Sequence, residues 1–207
     1  MRGYWISFEG LDGSGKTNQV QRLFEWLASK NVPTLITAEP GGTNTGQLLR
    51  TLLKSKQDPE IELITELLLF QAARHESMKK IVIPSLNSGK VVISDRGMDS
   101  TTAYQGYGRG LNTGWINNLT EVVNDRYKPD LTILLDIDPD IAINRIVKRE
   151  IIEEDQFDVQ ELDFRRRVRQ GFICISNQEP GRVKILDGSL PEDELHRIIV
   201  NIVREFI

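Results

Sequence analysis

A glycine-rich segment near the amino terminus constrains the fold of this chain more than any other feature. It matches the pattern G-x-x-x-x-G-K-[ST] and reads Gly10-Leu11-Asp12-Gly13-Ser14-Gly15-Lys16-Thr17. The apolar run of residues 4–8 precedes it, and apolar residues follow it at helical spacing: Val20, Leu23, Phe24 and Leu27. Strand, loop and helix in this order predict a cradle for phosphate groups. An ordinary glycine-rich turn with a surface lysine is the alternative.

The rest of the chain alternates between short apolar runs and longer helical stretches. Further strands are predicted at residues 34–37, 91–94, 131–135 and 183–186. Two of these runs are rich in Val, Ile and Leu without alternation, which is typical of strands buried on both faces of a parallel sheet. The pattern therefore predicts a three-layer α/β fold with right-handed crossovers. Ligands bind such folds at the carboxyl ends of the strands, here just after Phe8, Thr37, Ser94 and Leu135.

Two of the predicted helices can be bounded from residue types. Residues 61–86 are mostly helical in pattern, with a break expected near Glu76 and an end at residues 87–89. Pro191 is expected to open the last helix, because proline suits the first turn. The apolar residues of that helix form one stripe: Leu195, Ile198, Ile199, Ile202 and Val203.

Composition restricts the class of protein. The 207 residues suit one domain, predicted to run over 1–207, and the formal net charge of −4 argues against a nucleic-acid or anionic-membrane partner. The single cysteine, Cys174, fits a reducing compartment. No run approaches the ~18 apolar residues of a membrane span, and Glu9 places a charge too early for a signal peptide. We therefore expect a cytoplasmic protein.

The residue types of the glycine-rich loop fit phosphate chemistry. Glycines let backbone N–H groups turn inward toward phosphate oxygens, and the next helix presents its positive end to the same anion. We expect Lys16 to reach the β- and γ-phosphates and the Thr17 hydroxyl to hold Mg²⁺. This reasoning predicts a P-loop NTPase fold without saying which reaction the site serves.

Motifs at the other strand ends narrow the class. The second strand runs into E-P-G-G-T at 39–43, the third into D-R at 95–96 and then D-S-T-T-A-Y-Q-G at 99–106. A helix between them carries L-L-L-F-Q-A-A-R-H over 67–75, and L-D-I-D-P begins at 135. With the F-E-G-L-D-G-S-G-K-T start, the chain resembles the bacterial type of the thymidylate kinase family over nearly its whole length.

That resemblance implies a nucleoside monophosphate kinase. Its activity would be transfer of the ATP γ-phosphoryl group to dTMP, giving dTDP and ADP for dTTP synthesis, with Mg²⁺ as cofactor. It also implies a five-stranded parallel sheet in the order 2-3-1-4-5, flanked by helices, with a small lid. Helices at 61–75 and 115–124 are candidates for a homodimer face, as in relatives.

The acceptor site is expected around the helix at 67–75. Phe70 and Arg74 are four residues apart and share one helix face, where a ring offers a stacking surface and a guanidinium offers donors. Core packing is the alternative for Phe70, whereas a buried arginine needs a partner. The resemblance implies that Phe70 stacks on thymine and that Arg74 contacts the nucleotide. The other implied dTMP contacts are Glu39, Ser100, Thr101 near the ring, Tyr104 beside the sugar, and Phe157.

Charged residues beside the glycine-rich loop are the catalytic candidates. Asp95 can hold Mg²⁺ and Arg96 can grip the acceptor phosphate, with a surface ion pair as the alternative. The resemblance gives Asp12 a hydrogen bond to the deoxyribose 3′-hydroxyl, whereas a carboxylate capping its own turn is the alternative. Glu39 is a turn residue by default. Gly97 stands where the family usually has an aromatic or other side chain, which would permit unusual backbone dihedrals.

The segment after the fourth strand is expected to supply a further cation. The resemblance implies a lid at about 145–160 that closes over ATP. Since the glycine-rich loop has no arginine, the lid should face the migrating phosphoryl group with Arg149 first or Arg145 second; Arg145 is also expected to bind ATP. A solvated helix face is the alternative. The family's D-R-x-E reads D-Q-F-D here, at 155–158, and the arginines at 165–169 are expected on a solvated or lid-facing surface.

Two other functions stay open at this point. A different nucleotide or nucleoside kinase is the nearest alternative, and an acceptor panel would separate it from a dTMP kinase. A non-enzymatic P-loop switch belongs to another class. The N-K-x-D guanine motif of GTPase switches does not occur in the sequence.

Overall fold

A single parallel sheet forms the centre of the protein. The computed structural model describes residues 2–55, 61–148 and 162–207. The strands are β1 Trp5–Glu9, β2 Thr34–Ala38, β3 Val91–Asp95, β4 Leu131–Asp136 and β5 Val183–Asp187. Their spatial order is β2-β3-β1-β4-β5, with every neighbouring pair parallel. The predicted sheet and strand order are confirmed, and each strand ends one residue later than the apolar run indicated.

Helices cover both faces of this sheet. They are α1 Lys16–Ser29, α2 Asn44–Lys54, α3 Leu63–Ser77, α4 Ile83–Asn87, α5 Met98–Thr101, α6 Thr113–Val123, α7 Pro139–Val147, α8 Leu162–Gln178 and α9 Glu192–Phe206. Two π-helical segments, Met78–Val82 and Thr102–Gly108, join α3 to α4 and extend α5. The break predicted near Glu76 is a change of helix type at Met78 rather than an interruption. Pro191 does precede the last helix, as predicted.

The strand side chains fill cores on both faces of the sheet, because successive residues of a strand point to opposite faces. On one face, the strand residues Ile6, Phe8 and Ile133 pack against α1 and α9. The helices contribute Leu23, Leu27, Leu195 and Ile199 to this core. On the other face, Trp5 and Val92 pack against the α3–α4 side, and Leu134 packs against α8. The residues of β1 are all buried. In β3 and β4 only the last residue is partly exposed, as predicted for central strands.

The strand register places two polar turns beside each other. Phe8 in β1 pairs with Asp95 in β3, so Glu9 and Arg96 begin their loops side by side. The backbone N–H of Arg96 donates to the carbonyl of Phe8 at 2.9 Å, which ties the two loops together. Among the described helices, none has both the length and the apolar character needed to cross a bilayer.

Candidate active site

Glycines shape the loop between β1 and α1. Gly10, Gly13 and Gly15 have φ values of 137°, 83° and 92°, a region that side chains disfavour. A Cβ at Gly10 would lie 2.4 Å from the carbonyl oxygen of Leu135, and one at Gly13 would lie 2.5 Å from that of Ala142. Larger residues would therefore push the loop away from β4 and α7. The loop occupies the predicted place between strand and helix.

Lys16 folds its ammonium group back into this loop. The Nζ atom donates to the carbonyl oxygens of Leu11 at 2.8 Å and Gly10 at 3.1 Å, and the residue is only 6% exposed. Burial, and then the charge of Arg96, lower the pKa of Lys16 to about 8. The side chain therefore remains mostly cationic at neutral pH, inside a ring of backbone groups suited to phosphate oxygens.

Thr17 and Asp95 meet at the mouth of the loop. The Thr17 hydroxyl donates to Asp95 Oδ2 at 2.6 Å, so the first turn of α1 contacts the end of β3. A hydroxyl and a carboxylate are hard oxygen donors, which are the ligands Mg²⁺ prefers beside substrate phosphates. The two side chains thus fit the predicted Mg²⁺ site.

Arg96 joins the glycine-rich loop to Tyr104. Its Nη2 donates to Asp12 Oδ1 at 2.6 Å, its Nη1 donates to the Gly10 carbonyl at 3.1 Å, and its guanidinium lies 5.0 Å from the Tyr104 ring centre. Burial alone would raise the pKa of Asp12, but the charges of Arg96 and Lys16 hold that pKa well below its usual range. Asp12 is therefore ionised. It pairs with Arg96 rather than capping its own turn.

Glu39 and Arg74 form a buried ion pair. Arg74 Nε donates to Glu39 Oε2 at 2.6 Å, and their side chains are 3% and 6% exposed. Arg74 Nη2 donates to the Gly97 carbonyl at 2.8 Å. The other ends of the pair, Glu39 Oε1 and Arg74 Nη1, are buried and have no hydrogen-bond partner among the described residues. Buried polar atoms are nearly always paired, so these two atoms are candidates to bind polar groups of a ligand.

The unusual backbone dihedral expected at Gly97 lies one residue earlier. Gly97 has an extended φ of −165°, whereas Arg96 has a φ of 71°, in the left-handed region. The small size of Gly97 still has a role, since a Cβ there would lie 2.8 Å from Ser7 Oγ. The expectation was therefore wrong about the dihedral. The glycine instead permits close approach to β1.

One cleft of about 610 Å³ contains most of the predicted site residues. Those lining it are Asp12, Gly13, Gly15, Lys16, Thr17, Glu39, Phe70, Arg74, Asp95, Arg96, Ser100, Thr101 and Tyr104. Phe70 is half-buried at its wall, so it is not simply a core residue. The glycine-rich loop and the Glu39–Arg74 pair thus border the same cavity, which is large enough for a nucleotide-sized ligand.

Sequence reasoning missed several residues of this cleft. The main ones are Gln47, Arg50 and Lys54 of α2, and Gln105. The spacing of three and four residues in α2 puts its three polar side chains on one face, which was a usable signal. Arg50 Nη1 donates to the Pro40 carbonyl at 3.1 Å, so it also supports the turn after β2.

Arg145 lies behind the loop rather than in the cleft lining. Its Nη1 donates to the Gly188 carbonyl at 2.8 Å, and its Nη2 donates to the Ser189 carbonyl at 3.4 Å. It also approaches the carbonyl of Gly13 at 3.5 Å. This side chain therefore ties the glycine-rich loop to the turn after β5. Arg149, Phe157 and the altered D-Q-F-D sequence lie outside the described residues.

The arginines of α8 differ from their expected exposure. Arg165 is 3% exposed, and its charge lowers the pKa of Asp12 after the larger effects of Arg96 and Lys16. Arg169 donates to both carboxylate oxygens of Asp136 at 2.7 and 2.8 Å. α8 packs on both β4 and the segment Thr102–Gly108. Arg165 and Arg169 are four residues apart, so both lie on the side of the helix that these elements cover. Only the exposed Arg166 and Arg167 fit the predicted surface.

Comparison with known proteins gives one consistent result. The family model described as thymidylate kinase matches residues 8–199. A thymidylate kinase of Sulfurihydrogenibium sp. is 39% identical over 203 residues, covering 98% of each chain. That of Nostoc punctiforme is 41% identical over 205 residues, covering 99% of this chain and 97% of the relative. The crystal structure of thymidylate kinase from Ehrlichia chaffeensis has a TM-score of 0.80 and 34% identity, covering 98% of this chain and 99% of that chain.

Proposed function

The chain belongs to the thymidylate kinase family and is a nucleoside monophosphate kinase, and we propose that it transfers the γ-phosphoryl group of ATP to dTMP, giving dTDP and ADP. One observation carries the choice of acceptor. The buried Glu39–Arg74 pair leaves one acceptor atom and one donor atom unpaired among the described residues, and both residues line the cleft that the phosphate loop also lines. A pyrimidine base with carbonyl and N–H groups can satisfy both kinds of atom.

The donor half of the proposed site is the glycine-rich loop, Gly10 to Thr17. Its backbone N–H groups and Lys16 would bind the ATP phosphates, while Arg145 holds the loop against the turn after β5. Thr17 and Asp95 would hold Mg²⁺. When bound, that ion would neutralise charge on the donor phosphates.

The acceptor half is organised by Arg96. The phosphate of dTMP already provides the attacking oxygen, so positioning and charge matter more than a strong base. We assign Arg96 to that phosphate and the ionised Asp12 to the 3′-hydroxyl of the sugar, with Tyr104 beside them. Phe70 would stack on the base, with Thr101 near its edge. Phe157 remains a sequence-based assignment.

An acceptor panel tests this proposal directly. Purified protein is given ATP, Mg²⁺ and one of dTMP, dUMP, dCMP, CMP, AMP or thymidine, and ADP release is followed. We expect the highest kcat/KM with dTMP. A preference for CMP, AMP or thymidine would instead identify another nucleotide or nucleoside kinase. ATP hydrolysis that ignores every acceptor would identify a switch protein.

Replacing Phe70 by alanine should weaken the use of dTMP selectively. Loss of a stacking surface typically costs about 1–3 kcal/mol, so the dTMP KM should rise about 5- to 150-fold while the ATP KM changes little. Arg74→Ala should shift the same constant in the same direction. Tyr4→Ala is the matched control, since that exposed ring packs on Phe206 instead of the cleft. A rise in the ATP KM alone would mean that the two subsites are reversed.

The predicted homodimer has a suitable apolar face. Large apolar side chains of α3 and α6 are 39–76% exposed: Leu63, Ile64, Leu68, Trp115 and Val122. The two helices pack side by side, joined by a hydrogen bond of 2.7 Å from Gln71 to Thr120. We propose that a second copy of the chain covers this face, because isolated monomers rarely expose contiguous apolar patches of this kind.

Charge placed on this face should separate the subunits. We expect Leu68→Arg and Val122→Arg to convert a species of twice the 23.6 kDa chain mass into a monomer, measured by sedimentation. Val147→Arg is the control, because Val147 is equally exposed but lies on α7. A parent protein that sediments as a monomer would exclude the assignment.

Three further predictions belong to this proposal. A cytoplasmic location is supported by the single cysteine, Cys174, which the structure shows as a free thiol. The net charge of −4 argues against a nucleic-acid partner, whereas the nucleotide substrates are proposed from the family. The single domain with a lid at about 145–160 is proposed from the family resemblance, since most of that segment lies outside the described residues.

A further inference from the structure

Glu9 is a buried carboxylate that the proposed mechanism leaves without a role. It is the last residue of β1 and is completely buried, directly before the glycine-rich loop. Both of its oxygens face Ser100: Oε2 accepts from the Ser100 hydroxyl at 2.5 Å, and Oε1 accepts from the Ser100 backbone N–H at 3.3 Å. A group that accepts two hydrogen bonds on separate oxygens is best matched by an ionised carboxylate.

Ser100 connects Glu9 to Arg96 through hydrogen bonds. A serine hydroxyl has one proton, and here that proton points to Glu9. Its lone pairs are left to accept from Arg96 Nη1, at 3.0 Å. By the family resemblance, Ser100 was expected to contact dTMP. In the structure its only hydroxyl proton is already committed to Glu9, so it acts on the substrate through Arg96.

Arg96 needs such support because its backbone is strained. Arg96 has a φ of 71°, in the left-handed region that non-glycine residues disfavour, so neighbouring contacts must hold it there. The guanidinium is fixed on one side by Asp12 and on the other by Ser100. Without the hydrogen bond to Ser100, Nη1 of Arg96 would keep, among the described residues, only its hydrogen bond to the Gly10 carbonyl oxygen, at 3.1 Å.

We infer that Glu9 and Ser100 are positioning residues for Arg96. The carboxylate orients the serine hydroxyl, and the hydroxyl holds one prong of the guanidinium toward the acceptor phosphate. This inference rests on the proposed function, because it takes Arg96 to be the residue that binds that phosphate. Neither Glu9 nor Ser100 needs to touch the substrate.

A separate network should keep the fold intact when the hydroxyl is removed. Asp99, the neighbour of Ser100, accepts from both terminal nitrogens of Arg182 at 2.7 and 2.8 Å, and from the Thr132 hydroxyl at 3.2 Å. These bonds anchor α5 to β4 and to the residue before β5 through side chains other than Glu9. Ser100→Ala therefore removes the link to Arg96 and leaves the backbone of α5 in place.

The expected result is a selective loss in the use of dTMP. Ser100→Ala and Glu9→Gln should each lower kcat/KM for dTMP about tenfold while the ATP KM stays within twofold. Glutamine can accept only one of the two bonds from Ser100, because its other end is a donor. Assays at pH 8 keep Glu9 ionised, since burial and the charge of Asp99 raise its pKa to about 7. Ser88→Ala, which loses only a hydroxyl bond to the Ser85 carbonyl, is the control.

A cycle of combined variants separates positioning from general stability. If Glu9 acts through Ser100, and Ser100 through Arg96, the double variant Glu9→Gln/Ser100→Ala should lose no more than the worse single one. Ser100→Ala should add less than twofold to Arg96→Ala. Multiplied losses, or a Ser100→Ala enzyme within twofold of the parent, would overturn the inference. A parent that prefers another acceptor contradicts the proposed function instead, and the same cycle is then measured with that acceptor.

Discussion

Lys16→Ala is expected to lower kcat by about 10²- to 10³-fold, the loss usually seen when one preorganised charge donor is removed from a transition state. Lys16 is the single cationic side chain within residues 10–17. Its ammonium group is held inside the loop by two carbonyl oxygens, so it is in place before the substrate arrives. Charge that builds on the transferring phosphoryl group would then meet a fixed cation, which alanine cannot replace.

The control for Lys16→Ala is a variant that removes a lysine charge far from the glycine-rich loop. Lys79→Ala serves this purpose, because Lys79 pairs with Asp125 on the exposed surface, at 2.6 Å. Both variants are assayed at saturating ATP and dTMP, and their thermal unfolding is recorded to show that the fold persists. If Lys16→Ala keeps kcat within fivefold of the parent, the glycine-rich loop does not supply the charge for phosphoryl transfer.

The sheet could be predicted from the sequence because its signals are local. Buried central strands are rich in Val, Ile and Leu without strict alternation, and the runs beginning at Val91 and Leu131 show that composition directly. The π-helical segment Met78–Val82 could not be predicted in this way. Its distinguishing feature is a shift in backbone hydrogen bonding, which leaves the spacing of apolar residues nearly unchanged.

Individual residues of the site could be predicted from the sequence, but the contacts between them could not. Strand ends and motifs indicated Glu39, Arg74 and Arg96 separately, since each belongs to a recognisable local pattern. Their partners are distant in sequence: Arg74 binds Glu39 across 35 residues, and Arg96 binds Asp12 across 84. Such pairs depend on how helices pack over the sheet. The burial of Arg165 has the same origin, because two different elements cover that side of α8.

Arg149→Ala is expected to lower kcat by about 10³-fold, within the range of arginine fingers in phosphoryl transfer. Arg149 lies outside the described residues, so its assignment depends on the other cations of the proposed donor site. The glycine-rich loop offers Lys16 alone, and Arg145 already donates to the carbonyls of Gly188 and Ser189. Arg145 is thus engaged in holding the ATP side of the site, which leaves Arg149 as the preferred cation for the migrating group.

Kinetics of matched variants distinguish these two arginines. An arginine that contacts the phosphoryl group only in the reactive complex stabilises the transition state more than the ground state, so its loss lowers kcat with little change in either KM. Arg145→Ala should mainly raise the ATP KM, since it loosens the turn behind the loop. Arg149→Lys should recover little, because an ammonium group lacks the planar pair of donors. If kcat falls in Arg145→Ala and is retained in Arg149→Ala, the catalytic cation is Arg145 of α7, four residues earlier in the sequence.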